Sequence, residues 1–250
     1  KHNNNTNLIR SRTKLLVSDK GVGGVVIKLG RGFSFSEWYE DGERARVRVG
    51  AAISFGRFVR EAVKKGYGGV EFAEGIPGTV GGGLLMNAGA FGGEISRVVE
   101  SIDGVKEGGA CVCLPGEQLG FHYRRAEVPK GFVVTAVKFL LPRADTEKLL
   151  VAVHKARVGR RRSQPHGYAN AGSIFKNPQG DFAGRLIEEV GLKGAGCGRA
   201  RVSEKHANFI VNTGGAAAAE VKALIDTIQK AVWEKKGVWL EPEVRLVGEW

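Results

Sequence analysis

The chain has 250 residues, of which 38 are basic and 26 acidic, a formal net charge of +12. Apolar residues make up 42% and charged residues 26%, an ordinary balance for a globular protein with a substantial core. No apolar run approaches the roughly 20 residues of a membrane helix, and the opening KHNNNTNLIR lacks the apolar stretch of a secretory signal. No membrane partner and a cytoplasmic location are expected. The absence of an initiating Met reads as a processed product, a fragment or a trimmed chain.

Cys111, Cys113 and Cys197 form neither a disulfide framework nor a four-ligand metal set, so no metal is expected. Cys111 and Cys113 lie in the apolar stretch ACVCLP, where alternation points both to one face; they read as small buried hydrophobes. The positive charge would suit nucleic acid, but the basic residues are dispersed. The one dense run, Arg157 to Arg162, reads as a solvated face. Nucleic acid is therefore set aside in favour of a polyanionic small substrate or cofactor. Glycine is abundant, 38 of 250 residues, and serves tight turns and close backbone approaches.

In chain order, the first ten or so residues read as a disordered polar tail. LLVSDKGVGGVVIKL reads as two short strands around a glycine turn, and RARVRVG (44–50) as a half-buried strand. A helix follows with Phe55, Phe58, Val59, Ala62 and Val63 on one stripe, stopped by Gly66. Strands are expected around Ile95–Ile102, Ala110–Leu114 and Phe132–Leu141, and a helix from Thr146 to Gly159. The segment RRRSQPHG reads as a linker, with a second domain from about Gln164. There Asp181 is expected to cap a helix carrying Ala183, Leu186, Ile187 and Val190. HANFIVN reads as a strand, Ala216 to Lys236 as a long helix ended by Gly237, and PEVRLVG as a last strand.

Four groups of residues could carry chemistry. GIPGTVGGGLLMNAGAFGG holds eight glycines in nineteen residues. It is neither a Walker A loop nor a dinucleotide fingerprint; it reads as a cofactor or phosphate loop, or else as a crowded structural turn. In NAGSIFKNP, Ser173 lacks a nucleophile elbow and is either a proton-donating hydroxyl aided by Lys176 or a turn residue. Tyr123-Arg124-Arg125 is either a carboxylate or phosphate site or surface arginine. Glu243 and Arg245 share a strand face and read as an ion pair. His206 reads as a satisfied structural histidine.

Together these segments resemble the UDP-N-acetylenolpyruvoylglucosamine reductases. The resemblance rests on GIPGTVGGGLLMNAGAFGGEI, YRR, AGSIFKNP with DFAGRLIEEVGLKG and VSEKHANFIVNTG, and LEPEVRLVGE, in that order. It spans about Leu15 to Glu249, and the spacing is similar to that of the family's shorter type, which lacks an inserted substrate loop. It implies an α+β fold: an FAD-binding region of the vanillyl-alcohol-oxidase type over 1–160, with its first subdomain incomplete, and an α/β substrate-binding domain over 161–250 whose C-terminal strand returns to the active site. It implies FAD and NADPH as cofactors, and UDP-N-acetylglucosamine enolpyruvate as the substrate reduced to UDP-N-acetylmuramate in peptidoglycan synthesis. A monomer is expected. By this resemblance Ser173 is the proton donor, while Arg124 and Glu243 stabilise the enolate and its carboxylate. Tyr123 and Asn177 line the substrate pocket, and Gly78, Thr79, Gly81, Gly82, Asn87 and Gly89 contact FAD. The chain departs from the family in IRSRTKLLVSD, which lacks the expected phosphate-turn glycines, and at Ala126 and Val128, where Ser and Phe are usual. The alternative is a truncated or degenerate paralogue that binds a UDP-sugar with little turnover.

Overall fold

A computed structural model of the chain describes the backbone of residues 6–9 and the whole of 14–250. Contacts divide the chain into two compact units, bounded as Lys1–Ser11 with Val25–Arg160 and Arg12–Gly24 with Arg161–Trp250.

The first unit is built on a five-stranded antiparallel sheet. Its strand order is Ser36–Glu40, Arg44–Gly50, Val133–Pro142, Val99–Val105 and Cys111–Pro115. The alternation in RARVRVG works as expected, with Ala45, Val47 and Val49 fully buried on one face. Helix α1 (Phe55–Lys65) lays Phe55, Phe58, Val59, Ala62 and Val63 into the same core. Fully burying a side chain of this kind stabilises by about 1.5–3 kcal/mol. Ser54 caps the helix start by accepting from Arg57 N. Gly66 ends it at φ 78°, a left-handed turn that a Cβ would strain. A short helix, α2 (Val80–Leu85), lies inside the glycine-rich segment.

Three expectations change here. Thr6–Ile9 is not tail: it pairs in parallel with Val25–Lys28; the remaining tail residues lie outside those described. Cys111 and Cys113 are exposed, because the edge strand turns Val112 and Leu114 inward instead. Helix α3 (Thr146–Ser163) runs four residues beyond Gly159, taking in the first half of the supposed linker RRRSQPHG. Arginine is a good helix former, and the helix stops just short of Pro165, which disfavours helical backbone at Gln164.

The second unit has a four-stranded antiparallel sheet in the order Ala169–Ser173, Phe209–Asn212, Ala200–Val202 and Gly196–Cys197. Helices α4 (Ala183–Glu189) and α5 (Ala218–Lys236) pack on it through Leu186, Ile187, Leu224, Ile225, Ile228 and Val232. Leu15–Val17 belongs to this unit, pairing in parallel with Arg245–Val247. The two strands read from LLVSDKGVGGVVIKL therefore exist but do not pair with each other. Asp19, just past Leu15–Val17, caps α5 from a distance, accepting from Ala218 N at 2.8 Å and Ala219 N at 2.9 Å. Those two amides hold its carboxyl below the usual range.

Candidate functional site

In the first unit the glycine-rich segment is largely filled by the protein itself. A Cβ on Gly83 would lie 1.9 Å from Phe55, on Gly81 2.7 Å from Ala51, on Gly89 2.8 Å from Gly93 O, and on Gly93 2.7 Å from Phe72. Thr79 spends its hydroxyl on Gly82 N, 3.3 Å away. Asn87 is buried at φ 37°; it donates to His122 O at 3.1 Å and accepts from Ser96 N at 3.2 Å. Of the six positions assigned to FAD, Gly81, Gly89, Thr79 and Asn87 thus have an internal reason to be what they are. Gly78 stands apart at φ 116°, a backbone state open to glycine alone. A ligand meeting this segment would be held by main chain rather than by side chains. That suits the diphosphate and flat rings of FAD, so the segment fits the cofactor.

Arg124 belongs to the same neighbourhood, which its separation in sequence conceals. It sits at φ 58° between strands Phe121–His122 and Arg125–Ala126, and donates from Nη1 to Gly89 O at 2.8 Å. Its guanidinium stacks over the Tyr123 ring, itself half exposed, at 5.2 Å. The Arg157–Arg162 run is not merely a solvated face. Arg157 pairs with buried Glu74 at 2.8 Å, and Arg160 donates to Glu74 O at 2.8 Å and Phe72 O at 3.2 Å. Burial, and secondarily the charge of Arg124, lowers the pKa of Arg160. Arg124 and Arg160 thus bring positive charge to one neighbourhood, offset in part by the Glu74 carboxylate. Arg160 was missed because helical spacing gives no sign of which arginine turns inward.

In the second unit, Ser173 ends the strand Ala169–Ser173 after a register shift, with Gly172 at φ 73°. Such irregularities re-aim the side chains next to them. The following residues are clamped: buried Asn208 accepts from Phe175 N and donates to Phe175 O, both at 2.9 Å. Asn208 here acts as a strand would, completing both backbone bonds of Phe175. Alongside runs the C-terminal segment, with Lys176 N donating to Glu241 O at 2.9 Å and Glu243 N to Ile174 O at 2.7 Å. Ser173 and Glu243, 70 residues apart in numbering, are thereby neighbours.

Glu243 does not make the expected pair with Arg245. Its carboxylate, only 9% exposed, meets Lys14 at 2.9 Å, and the same ammonium donates to Ser173 O at 2.7 Å. The strand formed by Arg245–Val247 starts two residues later, so strand alternation does not govern Glu243. Asn177 is exposed and accepts from Ala183 N at 3.1 Å, sharing the start of α4 with Asp181, which accepts from Phe182 N. Lys176 pairs with Glu241 at 2.6 Å. His206 accepts from Asn208 N at 3.2 Å and packs on Phe209, and burial lowers its pKa. Among the described residues no cluster could hold a metal ion, and no helix is long and apolar enough to cross a membrane.

Comparison with known proteins finds two family models along the chain. Residues 1–114 match the model of an FAD binding domain, and residues 164–247 match that of the UDP-N-acetylenolpyruvoylglucosamine reductase C-terminal domain. Relatives named UDP-N-acetylenolpyruvoylglucosamine reductase include one from Symbiobacterium thermophilum, 45% identical over 96% of this chain and 77% of its own length. Another, from Anoxybacillus flavithermus, is 43% identical over 94% of this chain and 78% of its own. The crystal structure of the Thermus caldophilus UDP-N-acetylenolpyruvylglucosamine reductase superposes with a TM-score of 0.82 at 35% identity, covering 97% of this chain and 91% of that one. The α+β architecture with an FAD-binding domain is as expected.

Proposed function

The chain belongs to the UDP-N-acetylenolpyruvoylglucosamine reductase family, and from that premise we propose that it uses NADPH and FAD to reduce UDP-N-acetylglucosamine enolpyruvate to UDP-N-acetylmuramate. The reaction saturates a carbon–carbon double bond in the cytoplasmic stage of peptidoglycan synthesis. The observation that carries the reading is the junction of Ser173 and Glu243 through the 2.7 Å bond from Glu243 N to Ile174 O. It brings the backbone of two separate motifs together, and Lys14 Nζ joins the Ser173 carbonyl to the Glu243 carboxylate there.

FAD, when bound, would supply the reducing chemistry, a hydride drawn from NADPH and passed to C3 of the enolpyruvyl group. The protein's task is then to manage the charge left on the substrate and to protonate C2. Ser173 Oγ supplies that proton, its position fixed by the strand irregularity before it and the Asn208 clamp after it. Arg124 holds negative charge on the substrate, a role for which its pre-set geometry on Gly89 suits it. Tyr123 and Asn177 contact the substrate. With Asn177 Oδ1 engaged by Ala183 N, the contact falls to its NH₂ group. FAD would be held by the main chain from Gly78 to Gly82, with Asn87 and Gly89 shaping that surface from within. The cofactor falls to the region 1–160, which also supplies Tyr123 and Arg124 to the substrate; the rest of the substrate's contacts fall to 161–250.

Glu243 is the awkward member. At an effective dielectric near 20, two like charges 4 Å apart repel by about 4 kcal/mol, so a bare carboxylate would oppose an enolate. Purified protein should carry yellow flavin, bleach anaerobically with NADPH, and regain colour on adding UDP-N-acetylglucosamine enolpyruvate. Colourless protein that does not take up FAD would remove the enzyme reading. Flavin that bleaches but is not restored by the substrate would leave a sugar-binding paralogue.

A further inference from the structure

Lys14, immediately before Leu15, places a charge where the chemistry has a difficulty. Lys14 reaches Glu243 Oε1 at 2.9 Å and Ser173 O at 2.7 Å. One ammonium thus binds the carboxylate and the main chain of the hydroxyl residue together. The pair is largely withdrawn from water, with side chains 26% and 9% exposed, so its charges are weakly screened. Lys14 Nζ lies close over Gly172, where a Cβ would come within 3.2 Å of it. The backbone at Lys14 is also fixed, since Arg245 N donates to Lys14 O at 2.9 Å.

We propose that Lys14 is a positioning residue for the reduction: it neutralises Glu243, so that this carboxylate can stand beside developing negative charge, and it holds Ser173 at the end of its strand in donating position. The proposal rests on the reductase reading above. Lys14 is not required to touch the substrate. It acts through Glu243 and through the Ser173 carbonyl, so its removal affects the step in which charge builds on the substrate and spares flavin reduction by NADPH.

The test separates the two half-reactions anaerobically in wild type, Lys14→Ala, Lys14→Gln and Lys14→Arg. In Lys14→Ala we expect flavin reduction by NADPH to be unchanged. Reoxidation at saturating UDP-N-acetylglucosamine enolpyruvate should slow by at least about tenfold, with the half-saturating concentration changed by less than about threefold. Lys14→Arg should recover to within about threefold of wild type, and added ethylammonium should accelerate Lys14→Ala while leaving wild type unaffected, because the role needs a cation. In a Glu243→Gln background, Lys14→Ala should slow reoxidation by less than it does alone, since the share exerted through Glu243 is already gone and only the hold on the Ser173 carbonyl remains to be lost. Equal slowing of both half-reactions, full rate in Lys14→Ala, or no recovery with Arg or ethylammonium would overturn the proposal. If Lys14→Ala does not fold, Lys14→Gln and Lys14→Arg decide by the same criteria. Should wild-type reduced flavin fail to be reoxidised by the enolpyruvyl substrate, the reductase reading itself is what falls.

Discussion

In the glycine-rich segment of the first unit, most positions without a side chain are occupied by neighbouring parts of the protein. Around Ser173 in the second unit, polar groups converge from residues 14, 173, 208 and 243. The first region is dense in sequence and its conspicuous residues mostly shape the fold, Gly83 against Phe55 and Asn87 against His122 O. The second is sparse in sequence, and Lys14, Asn208 and Glu243 are each placed there by a named hydrogen bond or ion pair. A crowded motif announces a tightly packed main chain; a reactive constellation can be spread over the whole length of a protein.

Substitutions can test that contrast. The largest effect is expected at Ser173→Ala. Losing a general acid should slow reoxidation of the flavin by the enolpyruvyl substrate by about a hundredfold to ten-thousandfold, with reduction by NADPH unaltered. Equal loss in both steps would make Ser173 structural and erase the difference between the regions. Gly83→Ala should instead act on stability, costing about 3 kcal/mol in urea unfolding, because its Cβ would lie 1.9 Å from Phe55. A stable Gly83→Ala protein that merely lost flavin would return the segment to a ligand-contacting role.

Asn208→Ala strips both bonds from Phe175 in a buried site, and about 2 kcal/mol of stability should go with them. Unchanged unfolding would mean the strand bearing Ser173 is held otherwise. His206 offers a pH test. Burial depresses its folded pKa below the ordinary 6.5, so the unfolded chain takes up the proton first. Its contribution is present above pH 6.5 and lost as pH falls through the folded value. A protonated ring also cannot accept from Asn208 N. Compared with His206→Asn, wild type should lose less than about 1 kcal/mol more on acidification through that window; an identical pH dependence in the two would rule the histidine out. Smallest of all, Cys113→Ser should change stability by no more than about 0.5 kcal/mol, since the thiol is exposed. A larger loss would mean the cysteine face is covered after all.

Local patterns in the sequence were a sound guide where a single element decides the outcome. The alternation of Arg44–Gly50 and the stripe and glycine stop of α1 need only neighbours a few residues away, and both took their expected form. The motifs carrying Arg124 and Ser173 were legible as blocks for the same reason. What was not legible depends on distant partners. Nothing in LLVSD indicates that Asp19 caps a helix beginning at Ala218, nor that Lys14 rather than Arg245 faces Glu243. Cys111 and Cys113 were read as buried because alternation gives two faces without saying which is wet; the edge position of their strand settled that. Arg160 turns inward to Glu74 O and Phe72 O with no periodic signal to announce it.

The parallel pairing of Leu15–Val17 with Arg245–Val247 has a consequence for how the molecule is made. Ser18 reaches Glu249 O across 231 residues of chain, and closing a loop of that length costs about 5 kcal/mol of chain entropy. On the ribosome, the early strand therefore emerges long before its partner exists, while the intervening sheet of the first unit has all its strands to hand. Assembly of the second unit becomes a late event, and its earliest-made residues, Lys14 among them, must wait for the chain beyond Glu243 before the site they serve can exist.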